Sequence, residues 1–445
     1  MMQTYDAVVV GAGFAGLVAA RELGRKNKKV LVLEARDRIG GRTWTDHRLG
    51  RDLELGGTWV HWTQPHVWSE ISRYGLEVTR GPRAERTYWY SGGHVETGDL
   101  EEFMDLIDPG MTRLLEDTTD WIPRPDTPLA NEKLAEADAV TLQERLDALN
   151  LPPEEQDANA AAWVGHFNGP PDRSSFVNGL RWTAAAAGHW KLMHESTAIF
   201  RLKEGTKTLA ARIAEESGAE ILLDSPVRAI RQDDDGATVE FGDRQEVRAR
   251  DVVVTLPQNV LDRIEYSPEL SSAKKSSSEE KTASQGIKVW IRVKGPIEPF
   301  FAYSTPRHPL SVIRTEYVGE DDAVLVAFGA DASRLDIEDI EQVREAVRAW
   351  RDDLEVLEAT GHDWMSDEWA GETWMISRPH QFTTYHEHMS RAEGRVHFAS
   401  GDFANIWAGF IDGAIESGFR VAREIDDADQ DTGPEGTGPA PQGEQ

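Results

Sequence analysis

Three things are missing or scarce in this 445-residue chain: cysteine, positive charge and long apolar runs. Without cysteine there can be no disulfide, no thiolate metal site and no cysteinyl link to a cofactor. Lysine and arginine number 48 against 78 aspartates and glutamates, a formal charge of −30. That excess of anions repels nucleic acid and anionic membrane. Its plain reading is a solvated acidic surface, with steering of a cationic substrate as the alternative. No apolar stretch approaches the roughly 18 residues that span a bilayer. A strand-like run begins at Tyr5 with no basic and apolar leader ahead of it, so a cytoplasmic location is expected. The length, with 39% hydrophobic and 28% charged residues, suits a globular protein of two domains.

What is present starts with Tyr5 to Glu34. Ala7-Val8-Val9-Val10 is too short and too β-branched for a helix and reads as a buried parallel strand. Gly11-Ala12-Gly13-Phe14-Ala15-Gly16 follows, and then residues of helical period to Arg25. A second apolar run, Val30 to Leu33, ends in Glu34. Strand, glycine turn, helix, strand and terminal acid together make a dinucleotide site. Gly11 permits the tight turn, Gly13 lets the backbone approach a pyrophosphate, and Gly16 lets helix and strand pack closely. The helix N-terminus offers free N–H groups to the phosphates. Glu34 falls where a carboxylate takes both ribose hydroxyls and repels a 2′-phosphate, which disfavours NADP. The motif by itself leaves NAD and FAD open.

Further along, Arg36 to Thr43 places Gly40-Gly41 between arginines, a loop suited to clamping phosphate oxygens. Gly56-Gly57-Thr58-Trp59 is a second glycine pair at a strand end, where backbone can approach a flat ring. Thr87–Tyr90 and His94–Thr97 read as a hairpin. From about residue 99 to 201 the pattern is helical: Leu100 to Leu115, a capping box at Thr141 and Glu144, a helix from Pro153 through Trp163, and another over Ser174 to His189. This insertion carries His166, Trp182, His189 and Trp190, as pocket lining or as packing aromatics. Strands return at Ile221, Val227, Thr238 and Asp251 to Leu256, so the nucleotide domain is discontinuous. Ser271 to Ser284 reads as surface. Gly286 to Val293 alternates like a strand, although period does not decide which face takes Lys288. Ile337 to Trp350 and Gly413 to Asp427 read as helices, and the polar remainder as a disordered tail.

Together these motifs resemble the flavin-dependent amine oxidases, the monoamine oxidase-like family. The resemblance rests on the N-terminal glycine motif with Leu33-Glu34-Ala35-Arg36 and Gly40-Gly41-Arg42-Thr43, on Leu53 to Trp59, and on Val396 to Asp402 with Trp407 to Gly418. It covers nearly the whole chain and implies an α/β fold, a Rossmann-type FAD-binding domain interleaved with an α+β substrate domain. The expected boundaries are 1–80, 202–285 and 390–427 for the FAD domain, and 81–201 with 286–389 for the substrate domain. Residues 428–445 would be the acidic tail.

The resemblance implies FAD as cofactor. Gly11, Gly13, Ala15 and Gly16 would form the pyrophosphate loop, with Glu34 on the ribose and Arg36, Gly41 and Arg42 near the pyrophosphate. Gly57 would approach the ring, Val227 the adenine and Asp402 the ribityl–pyrophosphate arm, with Thr58, Trp369 and Gly401 as further cofactor-binding residues. Ile411 would begin a helix whose positive end faces the flavin pyrimidine edge. Lys288 matches a lysine that holds water beside flavin N5. Trp374 and Phe410 match two aromatics that flank the substrate nitrogen, here with Phe where Tyr is usual. Thr373 stands where some members carry a flavin-linked cysteine, so FAD would be held non-covalently. Trp59 and His166 would line the substrate pocket, and no metal is expected. The implied reaction is amine oxidation with a small amine and O2, or another electron acceptor, as partners, and the resemblance also implies a homodimer. Within the family, Gly371 to Trp374, Arg378 to Phe382 and the Lys288 strand look closest to bacterial 6-hydroxynicotine oxidase-like enzymes. Primary-amine or polyamine oxidation, and carbon–carbon desaturation on the same fold, stay open as alternatives.

Overall fold

A computed structural model describes residues 3–431. The apolar run Thr4–Val10 lies at the centre of an eight-stranded sheet, with Val30–Leu33 on one side and Gln245–Val254 on the other, both parallel. Glu220–Leu222 extends the sheet beyond Val30–Leu33, and Val396–Phe398 pairs with the end of Gln245–Val254. All of Ala7, Val8, Val9, Leu31, Val32, Val252, Val253 and Val254 are at most 2% exposed, as strands covered on both faces must be. The helices Phe14–Arg25, Thr206–Ser217 and Ile411–Asp431 cover one face. The antiparallel strands Val227–Asp233 and Gly236–Phe241 continue the sheet beyond Gln245–Val254, and their apolar side chains, with the segment around Leu261, pack with the other face.

The second sheet has seven strands, in the order Val356–Gly361, Ile287–Lys294, Asp322–Gly329, Val312–Val318, Phe300–Tyr303, Arg86–Ser91, His94–Gly98. Alternation divides it cleanly. Val289, Ile291, Leu325, Ala327, Ile313 and Ala302 pack beneath the helix Ile340–Arg348. Trp290, Val324, Val326, Phe328, Val312 and Tyr303 face the helical insertion instead. Lys288 shares the parity of Trp290, which settles the face that period left open. It is 4% exposed.

Three expectations need correction. Residues 271–284 are not simply surface: Ser272–Glu280 is a helix whose Lys274 is buried. That ammonium donates to the carbonyls of His388 and Arg391 and to Glu393 Oε1 at 2.8, 2.9 and 2.9 Å, so a fully used set of donors overrides the polar composition. The helix expected over 174–189 is shorter, Val177–Ala185, and a second helix that was not expected, Trp190–Ala198, begins just past its predicted end. Ala187 and Gly188, both at positive φ, separate the two. The tail expected to be disordered from 428 continues the last helix to Asp431, because adding a turn to a formed helix needs no new nucleus. The rest of that tail, 432–445, lies outside the described residues. Among the described residues no helix is long and apolar enough to cross a membrane.

Candidate active site

A cavity of about 2040 Å3, counting its mouth, runs from the first glycine turn into the space between the second sheet and the helical insertion. At its nucleotide end the turn is glycine by necessity. Gly11 has φ +104°, and a Cβ there would meet Thr255 Oγ1 at 2.6 Å. A Cβ on Gly16 would fall 2.0 Å from the Gly11 carbonyl oxygen. Gly13 caps the helix Phe14–Arg25 without a side chain, which leaves first-turn N–H groups open to the cavity beside Phe14 and Ala15. Gly41, at φ +62°, faces Gly13 so closely that a Cβ would come within 3.2 Å of its Cα. Glu34 is 3% exposed. Its carboxylate accepts from the N–H of Ala12 at 2.7 Å and of Arg36 at 2.9 Å, which fixes its aim. Val227 and Trp369 line the far end. Backbone donors, a wall only glycine can form and an oriented carboxylate fit a dinucleotide.

Arg42 lines this cavity and lies between two carboxylates, Glu372 Oε1 and Asp402 Oδ1, each at 2.6 Å. Asp402 also accepts from Gln258 N at 2.9 Å and does not itself line the cavity, so it acts there by holding Arg42. Burial and the adjacent Asp402 push Glu372 well above the usual carboxylate range. Arg36 is likewise steadied by Asp367 at 2.5 Å.

At the inner end, Gly56, Gly57, Thr58 and Trp59 form the cavity edge. A Cβ on Gly56 would lie 2.0 Å from the Arg42 carbonyl oxygen, so the two glycine segments pack backbone to backbone. Lys288 stands directly behind them, donating to Gly56 O at 2.9 Å and to Thr58 Oγ1 at 2.6 Å. Burial drives its ammonium down to about 7, against the opposing pull of Glu54 and Glu316. Lys288 does not line the cavity directly; Thr58 stands between. Trp374 and Phe410 both line it, half-buried. Gly409, at φ +85°, brings the chain before Phe410 against the Trp374 segment: a Cβ there would lie 3.3 Å from the Met375 carbonyl oxygen and 3.6 Å from the Trp374 Cβ. Trp182 and Trp407 hold the Phe410 ring edge-on, at 5.0 and 5.3 Å between centroids. The helix from Ile411 begins immediately afterwards, with Gly401, Ile411 and Ala414 on the cavity.

Trp59 and His166 line the substrate end, and Thr373 lies on the wall with its hydroxyl 2.7 Å from Ser284 Oγ. Sequence reasoning missed four residues: Arg314, Tyr303, His194 and Glu372. His194 was legible only as one more polar position in a helix. Arg314 and Tyr303 needed the strand registers. Of the other insertion aromatics, Trp182 buttresses Phe410, while Trp190 donates to Asp108 at 3.1 Å, away from the cavity. His66 approaches Asp412 and Glu416, but these carboxylates already accept from the N–H groups of Val67 and Asn405 at 2.8 and 2.9 Å, as helix and loop caps.

A parallel nucleotide sheet, a glycine cradle and an aromatic slot at the far end of one cavity define an oxidoreductase built around a bound dinucleotide. Residues 14–426 match the family model for flavin containing amine oxidoreductases, and the chain belongs to that family. It is a flavoenzyme. A pseudooxynicotine dehydrogenase of Pseudomonas sp. is 37% identical over 430 residues, covering 95% of this chain and 86% of the relative. The (S)-6-hydroxynicotine oxidase of Paenarthrobacter nicotinovorans is 30% identical over 426 residues, covering 93% and 97%. The structure of wild-type putrescine oxidase bound to putrescine superposes with a TM-score of 0.84 at 25% identity, over 95% of this chain and 99% of that one.

Proposed function

We propose that the protein binds FAD non-covalently and oxidises a cyclic or N-methylated secondary amine of the nicotine type, with O2 as electron acceptor. The observation that carries this reading is the Trp374–Phe410 pair on the same cavity as the Gly57–Thr58 edge, with Lys288 behind it. FAD, when bound, supplies the hydride acceptor for the amine α-carbon and passes the electrons to O2, giving H2O2. Everything else falls to the chain. Gly11, Gly13, Ala15, Gly41 and the Phe14 helix N-terminus would hold the pyrophosphate, and Glu34 the ribose. Arg42, kept in place by Asp402 and Glu372, would face the phosphates. The positive end of the Ile411 helix would favour negative charge on the adjoining ring. With no thiol at position 373, nothing there can form a thioether.

Trp374 and Phe410 would pass the substrate nitrogen in flat between them and keep water from the reacting carbon. Phe410 brings no hydroxyl, so it orients by shape alone. Lys288, poised near neutrality, can give or take a proton at Nζ through Thr58 or a water beside it. The imine formed between the substrate nitrogen and its α-carbon is hydrolysed by water to a carbonyl and an amine. The nicotine-type substrate is supported by the named activities of the two relatives above; putrescine oxidase supports a primary diamine as the second reading.

Anaerobic mixing of the purified protein with 6-hydroxynicotine, nicotine, pseudooxynicotine, simple primary amines and putrescine tests both. Bleaching of the flavin's visible band by the alkaloids, well ahead of the others, is the expected result. Bleaching by none, with FAD bound, would refute amine oxidation.

A further inference from the structure

The substrate end of the cavity has an unusual charge plan. Among the described residues that line the cavity, Glu34 is the only carboxylate, and it belongs to the nucleotide end. The one ionic side chain at the substrate end is Arg314, whose guanidinium lies over the Trp59 ring at 4.6 Å. Its counter-charge is on the side away from the cavity. Glu316 takes the Arg314 Nε and NH2 at 2.9 and 2.8 Å, is 2% exposed, and is shared with Arg201 at 2.8 Å. Two guanidinium groups thus meet one carboxylate. Arg314 NH1 goes to the Ala198 carbonyl, so the fork is already committed and poorly placed to take a substrate carboxylate. Glu54, the other buried acid nearby, is committed to Thr206 N and Oγ1, each at 2.7 Å.

Opposite Arg314 lie two histidines. His166 Nε2 is 3.3 Å from His194 Nδ1, and His166 Nδ1 is 3.3 Å from Thr197 Oγ1. Thr197 gives its own proton to the Met193 carbonyl at 3.0 Å, so it accepts from His166 Nδ1. His166 Nε2 then accepts from His194 Nδ1, and His194 Nε2 is left as an acceptor. Burial holds the two imidazoles down to about 3 and about 4, and Arg314 adds to the effect at His194. The Tyr303 hydroxyl, on the same wall, has no partner among the described residues. An ammonium arriving here would leave water for a place without a carboxylate and beside a guanidinium. An uncharged hydroxyl, amide or ring N–H would find His194 Nε2 and Tyr303.

We propose that Arg314 and the His166–His194 pair make this end a single-charge filter. It admits amines whose one basic nitrogen sits at Trp374 and Phe410 and whose far end is an uncharged hydrogen-bonding or aromatic group, and it rejects diamines. The inference rests on the amine-oxidation reading and narrows it.

The test is anaerobic flavin reduction in the holoenzyme by N-methylalkylamines of graded length ending in phenyl, hydroxyl, ammonium or carboxylate. Rate and dissociation constant are both taken from saturation. The expected result is reduction by the phenyl and hydroxyl series, with the ammonium series lower in second-order rate by about 100-fold, the effect residing mainly in binding. Arg314→Leu, which leaves Glu316 with Arg201 alone, should narrow that gap by about tenfold. Should that variant not fold, His166→Asp supplies the missing carboxylate and should narrow the gap in the same direction. An ammonium or carboxylate series as good as the hydroxyl series overturns the filter and leaves amine oxidation standing. A gap unchanged in either folded variant assigns discrimination to cavity shape and overturns the role of these residues. If no amine, alkaloids included, reduces the flavin, the underlying reading fails and this inference with it.

Discussion

The two ends of the cavity are built on opposite plans. The nucleotide end is made of backbone: Gly11, Gly13, Gly16 and Gly41 bring main chain against main chain, with the ions Glu34 and Arg42 each held by fixed partners. Its residues come mostly from one short stretch of sequence. The substrate end is made of side chains drawn from strands and helices far apart in the chain, and its polar groups are largely kept uncharged by burial. A negative ligand of fixed shape suits the first plan. The second suits selection of variable, mostly apolar molecules, because altering side chains leaves the backbone alone.

The contrast breaks most sharply at the glycines. Gly16→Val should abolish flavin retention and destabilise the fold by about 3 kcal/mol, because the new side chain has only the Gly11 carbonyl to enter. Flavin content after gel filtration and the melting temperature check it. Next comes the lysine behind the inner edge of the cavity. Lys288→Met should slow reoxidation by O2 by about 100-fold and change flavin reduction by the amine far less, as stopped-flow absorbance would read. Unchanged reoxidation would falsify the role given to Lys288. At the substrate end, Phe410→Ala should lower the rate of flavin reduction by about tenfold or more while flavin content stays full, since the loss is one of orientation.

A smaller effect, away from both ends, is read by pH. Burial and Arg181 hold His386, beneath the helical insertion, down to about 3. Between there and about 6.5 the unfolded chain binds a proton that the folded one refuses, so stability falls as pH is lowered through that window. His66 and His397 are raised by their acidic partners and act in the opposite sense. His386→Gln, which can keep the bond to Asn405, should flatten the acid slope by up to about 1.4 kcal/mol per pH unit in urea unfolding. The smallest change is Thr141→Ala, which removes one capping box from the insertion. It should cost about 1 kcal/mol of stability and leave the flavin spectrum untouched.

Legibility in the sequence follows the same division. The strand Thr4–Val10, the glycine turn and Glu34 could be read directly because their geometry is local: a turn at positive φ demands glycine, and a doubly covered strand demands an apolar run. The helix Ile411–Asp431 began where the motif placed it. The surface reading of Ser272–Glu280 failed because Lys274 found three acceptors on segments more than a hundred residues away. Composition cannot register such partners. Similarly, the period of Ile287–Lys294 could not assign Lys288 to a face, since both faces of that strand are buried.

What the sequence by itself determined, then, is the nucleotide-binding turn, the order of elements around it and membership of the flavin amine oxidoreductases. Each rests on steric rules acting over a few residues or on long matching motifs. Tertiary structure decided the rest: which face takes Lys288, that Glu316 lies behind Arg314, and that His166 meets His194. Those relations depend on strand register and on helices meeting across the cavity. A one-residue slip in register would turn Arg314 to the opposite face of its sheet.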